Sequence, residues 1–78
     1  MTNLEKYNKA FIDNLEVTQE ELPGLTYRGI DSWDSVGHME LIADLEEKFD
    51  IQLDTVDLLA FSSYEKGKEI MRDYGVEL

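Results

Sequence analysis

The chain has 78 residues and a formal net charge of −11, from 18 acidic and 7 basic side chains. This length allows a single domain, 1–78, with a modest core, and the absence of cysteine excludes disulfides, thiolate metal sites and cysteine nucleophiles. The acidic balance argues against binding to nucleic acid or anionic membranes, which require basic patches, and favours basic protein partners.

The first predicted element is an amphipathic helix that begins after a cap at Thr2 or Asn3 and ends near 15–17. Its apolar residues recur at intervals of three and four, which places them on one helix face. They are Leu4, Tyr7, Phe11 and Leu15, and the opposite, solvated face is predicted to carry Asn8, Lys9, Asp13 and Asn14.

The segment 18–30 is predicted to be a long loop, because Pro23-Gly24 is a turn signal within it. Thr18 and Glu21 have capping-box spacing, which indicates a short helical turn. Four residues of the segment are too apolar for a free linker, so we expect them to pack against the helices. They are Leu22, Leu25, Tyr27 and Ile30.

A second helix is predicted from about Ser35 to Phe49. Asp34 and Ser35 stand directly before a helical run, and both residue types are preferred at helix N-caps. Leu41, Leu45 and Phe49 then form an apolar stripe. The other face carries Glu40, Asp44, Glu46 and Glu47. The pattern therefore places a serine hydroxyl at the positive end of a helix whose exposed side is acidic.

Two more helices are predicted in the last third of the chain. The segment 51–53 alternates briefly but has no partner strand, so we expect an extended loop. A short helix should follow over 54–61, capped by Asp54. Ser62 and Glu65 have capping-box spacing and should open the last helix, which Gly75 ends. The predicted fold is an all-α bundle of three longer helices and one short helix, with a long loop after the first.

The residues around Ser35 also form a recognisable motif. Asp34-Ser35 is followed by apolar Val36 and, five and six residues after the serine, by Glu40-Leu41. This motif resembles that of the acyl carrier protein family, whose members carry a phosphopantetheine arm on the serine. The continuation over 45–51 is similar to the end of the family's second helix, and the resemblance covers essentially the whole chain.

The resemblance implies a non-catalytic carrier with 4'-phosphopantetheine, donated by coenzyme A, attached to Ser35. It would hold acyl or aminoacyl groups as thioesters for fatty-acid, polyketide or related biosynthesis. The implied partners are a phosphopantetheinyl transferase, an acyl- or aminoacyl-loading ligase or transferase, and synthase-type enzymes with basic docking patches. The implied recognition residues are Asp34, Val36, Met39, Glu40, Glu46 and Glu47. An acyl chain could be lined by Leu41, Leu45, Leu53, Leu58 and Phe61, although a plain core explains these five better.

Three neighbours of the motif need separate interpretation. Asp31-Ser32 is a second Asp-Ser pair, but Glu40-Leu41 lies eight and nine residues after Ser32, so we assign the arm to Ser35. Trp33 is predicted to anchor the loop, and His38 to be a solvated or capping residue. Gly37 could avoid crowding an arm or partner, or could simply be tolerated in a first turn.

Two other classes of function fit parts of the sequence. An acidic helical adaptor that binds basic proteins explains the charge without any prosthetic group. A calcium site near Asp50 fails the EF-hand pattern, because Thr55 and Phe61 stand where that loop needs Gly and Glu. We therefore expect no metal, and nothing marks the chain as an enzyme.

The chain carries no apolar run long enough to span a membrane. Its first residues also lack the basic flank of a signal peptide. We expect a cytoplasmic protein, and a monomer, because excess like charge opposes self-association.

Overall fold

The computed structural model describes residues 1–78 and contains four α-helices, one 3₁₀ helix and no strand. The elements are α1 (Asn3–Leu15), the 3₁₀ helix (Gln19–Gly24), α2 (Ser35–Phe49), α3 (Thr55–Ala60) and α4 (Tyr64–Asp73). The prediction of an all-α bundle with three longer helices, one short helix and a long first loop is confirmed. None of the helices combines the length and the apolar character that a membrane span requires.

The predicted helix starts are confirmed at three of the four α-helices. The Thr2 side chain and Glu5 form a complete capping box at α1. Asp34 accepts a hydrogen bond from the Gly37 N–H at 2.9 Å and so caps α2. At α3 the Asp54 carboxylate accepts the equivalent bond from the residue three positions on, also at 2.9 Å. Each cap satisfies a backbone donor that the helix cannot satisfy itself.

The prediction that Ser62 opens α4 is wrong by one residue. Ser63 is the cap, since its hydroxyl accepts from the Lys66 N–H at 2.9 Å. The Ser62 carbonyl instead accepts a hydrogen bond from the Tyr27 N–H at 2.8 Å, which joins the first loop to the start of α4. This tertiary contact decides between two adjacent serines that are equally good caps.

The core is centred on a cluster of aromatic rings. Phe11 lies edge-on to Tyr7, Trp33 and Tyr64, with ring centroids 4.9, 5.5 and 5.3 Å apart. Such edge-to-face pairs stabilise a core beyond the area that they bury. Gly67 allows α4 to approach this cluster, because a Cβ atom there would collide with the Tyr7 hydroxyl and the Phe61 ring.

Two predictions for α1 are wrong. Leu4 is 38% exposed rather than buried. Asn8, predicted to be solvated, is buried, and its Oδ1 accepts a hydrogen bond from the Tyr64 hydroxyl at 2.5 Å. The buried tyrosine needs a hydrogen-bond partner, and Asn8 supplies it where α4 covers α1.

The long first loop packs against the helices as expected. Leu22 and Leu25 are buried, while Tyr27 and Ile30 are half-buried. The 3₁₀ helix begins at the predicted capping box of Thr18 and Glu21.

The buried Tyr7 hydroxyl predicts a loss of stability at high pH. It donates to the Tyr64 carbonyl at 2.8 Å, and burial, followed by the charges of Tyr64 and Glu65, raises the pKa of Tyr7 above its ordinary value of 10.0. Below pH 10 the phenol is neutral in both states. Above pH 10 the Tyr7 phenol ionises in the unfolded chain but stays neutral in the folded chain. The free energy of unfolding therefore falls by up to about 1.4 kcal/mol per pH unit.

The measurement is urea unfolding of the wild type and Tyr7→Phe between pH 8 and about 11, a range that spans the ordinary tyrosine pKa. The variant is expected to lose less stability than the wild type above pH 10, because it carries one ionisable phenol fewer. If the free energies of unfolding of the two proteins fell in parallel above pH 10, the raised pKa of Tyr7 would be contradicted.

Candidate functional site

Ser35 is the first residue of α2 and its side chain is exposed. The Asp34 carboxylate caps the helix by accepting a hydrogen bond from the Gly37 N–H. The Asp34 carbonyl accepts the first intrahelical hydrogen bond, from the His38 N–H at 2.8 Å. The Ser35 hydroxyl is therefore not needed as a cap. The N–H groups of Ser35 and Val36 precede the first intrahelical bond, as at any helix start. A negative group on Ser35 would lie at the positive end of the helix.

The competing serine has a structural role. The Ser32 hydroxyl is half-buried and donates to the Leu15 carbonyl at 2.7 Å. It thereby satisfies one of the carbonyls that the end of α1 leaves without an intrahelical partner. Of the two Asp-Ser pairs, the second alone presents an exposed hydroxyl.

Gly37 is explained by close packing against the loop, which neither sequence interpretation had considered. A Cβ atom at this position would collide with the Ser32 carbonyl oxygen and lie 3.3 Å from Leu15 Cδ2. The glycine lets the loop before α2 cross directly over the first helical turn.

The expectation that His38 is solvated or capping is wrong, whereas Trp33 is the loop anchor that was predicted. Trp33 is fully buried and His38 is only 8% exposed. The Trp33 indole N–H donates to His38 Nδ1 at 3.0 Å, and His38 Nε2 lies 2.9 Å from the Leu58 carbonyl oxygen. An indole only donates and a carbonyl only accepts. The imidazole is therefore neutral with its proton on Nε2, and it joins the loop, α2 and α3.

The six predicted recognition residues fall into two groups. Four are exposed, namely Val36 (65% exposed), Met39 (52% exposed) and Glu40 close to Ser35, and Glu47 more than three turns further along α2. The other two are half-buried and bond to the backbone. Asp34 caps α2, and Glu46 Oε2 accepts from the Leu53 N–H at 2.8 Å. Only the first group is free to meet a partner without breaking a hydrogen bond of the fold.

The five predicted lining residues lie in the core or at its edge. Leu41, Leu45, Leu53 and Phe61 are buried and Leu58 is half-buried. Of these five, only Phe61 borders any surface cleft. All five therefore contribute to the packed core, and their role as an acyl lining stays a prediction.

None of the residues of helix α3 is fully buried, although Leu58 and Ala60 pack against the core and polar bonds add to the attachment. The Tyr74 hydroxyl accepts from the Asp54 N–H at 3.0 Å and donates to Asp57 at 2.7 Å. Val56 and Leu59 are 75% and 74% exposed. Sequence analysis missed this exposure, although adjacent Leu58 and Leu59 cannot both face the core from a single short helix.

A small cleft lies between α2, α3 and the first loop. Its space is about 120 Å³, and it is lined by Tyr27, His38, Leu59, Phe61 and Ser62. His38 stands three residues after Ser35, so the two lie on the same face of α2. The cleft forms because the loop residue Tyr27 packs beside His38, with the two ring centroids 5.2 Å apart. The sequence does not show this contact, so the cleft was not predicted.

The described site therefore comprises an exposed serine at a helix start, an acidic and apolar surface beside it, and a small cleft one turn along. No three His, Asp or Glu side chains are grouped so that they could hold a metal ion. No family model matches the chain, and neither the search of curated proteins nor that of solved structures gave a match.

Proposed function

We propose that this chain is a carrier protein that holds acyl or aminoacyl groups on a 4'-phosphopantetheine arm attached to Ser35. The observation that carries the proposal is the exposed Ser35 hydroxyl at the first position of α2. Asp34 caps the helix and Ser32 is bonded to α1. An Asp-Ser pair is explained by helix capping alone if both residues take part in the cap. Here Asp34 caps the helix by itself, so capping does not explain the exposed Ser35 hydroxyl.

The residues at this tip fit a phosphodiester. Inside a phosphopantetheinyl transferase, the Ser35 hydroxyl oxygen attacks the pantetheine-side phosphorus of coenzyme A. The new P–O bond forms as the pyrophosphate bond breaks, adenosine 3',5'-bisphosphate leaves, and a base of the transferase takes the hydroxyl proton. The helix dipole and the first backbone N–H groups then favour the single negative charge of the phosphodiester. When bound, the arm supplies a thiol on which cargo is held as a thioester, which this cysteine-free chain cannot otherwise provide. The protein's own contribution is to anchor the arm and to be recognised.

The surface beside Ser35 supports recognition by basic partners. Val36 and Met39 form an apolar patch, and Glu40 and Glu47 are exposed on the same helix. Opposite charges across such a contact raise the encounter rate and orient the complex more than they tighten it. Short-lived complexes suit a carrier that visits a transferase, a loading enzyme and a synthase in turn. We place these encounters in the cytoplasm.

The test is the intact mass of the purified protein before and after incubation with coenzyme A, magnesium and a broad-specificity phosphopantetheinyl transferase. The expected result is a gain of one phosphopantetheine, which tandem mass spectrometry locates on Ser35. If the sample already carries the arm, the starting mass shows it. Folded protein that gains nothing and carries nothing would leave the acidic adaptor as the better account, since an adaptor needs no serine at the helix tip.

A further inference from the structure

We propose that the cargo of this carrier is a short acyl group, which rests in the cleft beside His38 and does not enter the bundle. This inference rests on the proposed function and adds the substrate class to it. It follows from three features of the structure, namely a filled core, a bridge across the gap between α2 and α3, and the size of the cleft.

The first feature is the absence of space in the interior. Leu41 and Leu45 of α2 pack against the aromatic cluster, and both are buried. Neither borders a cleft of any size. Protein interiors are close-packed and respond poorly to added volume. A long chain that entered the bundle would have to displace these packed side chains.

The second feature is the His38 bridge. Its ring accepts from Trp33 and faces the Leu58 carbonyl of α3, so it ties α3 to α2 one turn from Ser35. A chain that passed between the two helices would break the bond to Leu58 and leave buried polar groups without partners. Such groups are expensive to leave unpaired. His38 therefore acts as a specificity-determining residue that closes the gap.

The third feature is the cleft itself, with a volume of about 120 Å³. Tyr27, Leu59 and Phe61 give it apolar walls, while His38 and Ser62 add polar atoms. An apolar cavity of about 150 Å³ holds one benzene molecule, so by proportion this cleft accepts about five non-hydrogen atoms. A butyryl group fits within that limit, and an octanoyl group exceeds it.

The experiment compares the arm-bearing protein with its butyryl and octanoyl thioesters by NMR of backbone amides and side-chain methyls. The butyryl form is expected to shift the amide signals of His38, Leu59 and Ser62. The octanoyl form is expected to shift these signals less, because the group exceeds the cleft, and to leave the methyls of Leu41 and Leu45 unchanged. Its melting temperature should equal that of the butyryl form.

Two exposed positions on α3 give a matched pair of variants that preserve the core. Leu59→Gln removes an apolar wall of the cleft and should abolish the butyryl-induced shift at His38. Val56→Gln changes an equally exposed residue on the same helix that does not line the cleft, and should retain the shift.

Several outcomes would overturn the proposal. These are octanoyl-induced shifts or nuclear Overhauser contacts at the Leu41 and Leu45 methyls, a higher melting temperature for the octanoyl form, and no butyryl shift at the cleft. A butyryl shift that survives Leu59→Gln would do so as well. Failure to attach the arm at Ser35 would overturn the proposed function together with this inference, whereas normal attachment with core shifts would overturn the inference alone.

Discussion

Replacement of Ser35 by alanine is expected to abolish phosphopantetheine attachment completely while leaving the fold intact. The Ser35 side chain is exposed, and the cap of α2 is the Asp34 carboxylate, 2.9 Å from the Gly37 N–H. Alanine is a good helix former, so the free energy of unfolding should change by about 0.5 kcal/mol or less. The loss of loading would then be chemical, because no oxygen remains to form the phosphodiester.

Ser32→Ala is the matched control, since it removes the other Asp-Ser hydroxyl. It breaks the bond to the Leu15 carbonyl and is expected to destabilise the fold by about 1 kcal/mol. Loading should nevertheless persist. Intact mass measures loading and urea unfolding measures stability on the same samples. Loss of the arm in Ser32→Ala alone would move the attachment site to Ser32 and refute the assignment of Ser35.

Trp33→Ala is expected to be the most damaging single change to the fold, at about 3–5 kcal/mol. The indole is fully buried, lies edge-on to Phe11 and Tyr27, and stacks on His38. Its removal leaves a cavity and deprives His38 Nδ1 of its donor. A chain of this length has a total stability of about 4–12 kcal/mol. The variant therefore loses a large share of it, measured by urea unfolding with far-ultraviolet circular dichroism.

Trp33→Phe leaves a smaller cavity than Trp33→Ala and removes the same hydrogen bond. It keeps an aromatic ring in the core and removes the indole N–H, so a loss of about 1–3 kcal/mol is expected. Val56→Ala, at an exposed position, should change stability by about 0.5 kcal/mol or less. A loss below about 1 kcal/mol in Trp33→Ala would show that the ring does not support the fold as described.

Local signals in the sequence predicted most of the secondary structure. The start and end of α2 are correct to the residue, because Asp34 is a strong cap and the apolar spacing from Leu41 to Phe49 has the helical period. The caps at Thr2 and Asp54, and the positive φ of 85° at Gly75, follow from the same short-range rules. These features depend on neighbours within one helical turn.

Contacts between distant residues decided the rest, and the errors occur where such contacts override a local preference. Asn8 is polar and was predicted to be solvated, but Tyr64, 56 positions away, needs an acceptor. His38 was predicted to be solvated or capping, but Trp33 and the Leu58 carbonyl contact both of its ring nitrogens. Ser63, not Ser62, caps α4 because the Ser62 carbonyl is held by Tyr27.

The sequence by itself determined the helical class, the position of α2 and the choice of Ser35 as the candidate attachment site, because periodicity, capping and motif spacing are properties of adjacent residues. Only the tertiary structure decided that Ser32 is engaged with α1, that Gly37 is required by the crossing loop, and that a cleft forms beside His38. Each of these features depends on contacts between side chains and carbonyls of different elements of the bundle. No spacing along the chain specifies such contacts.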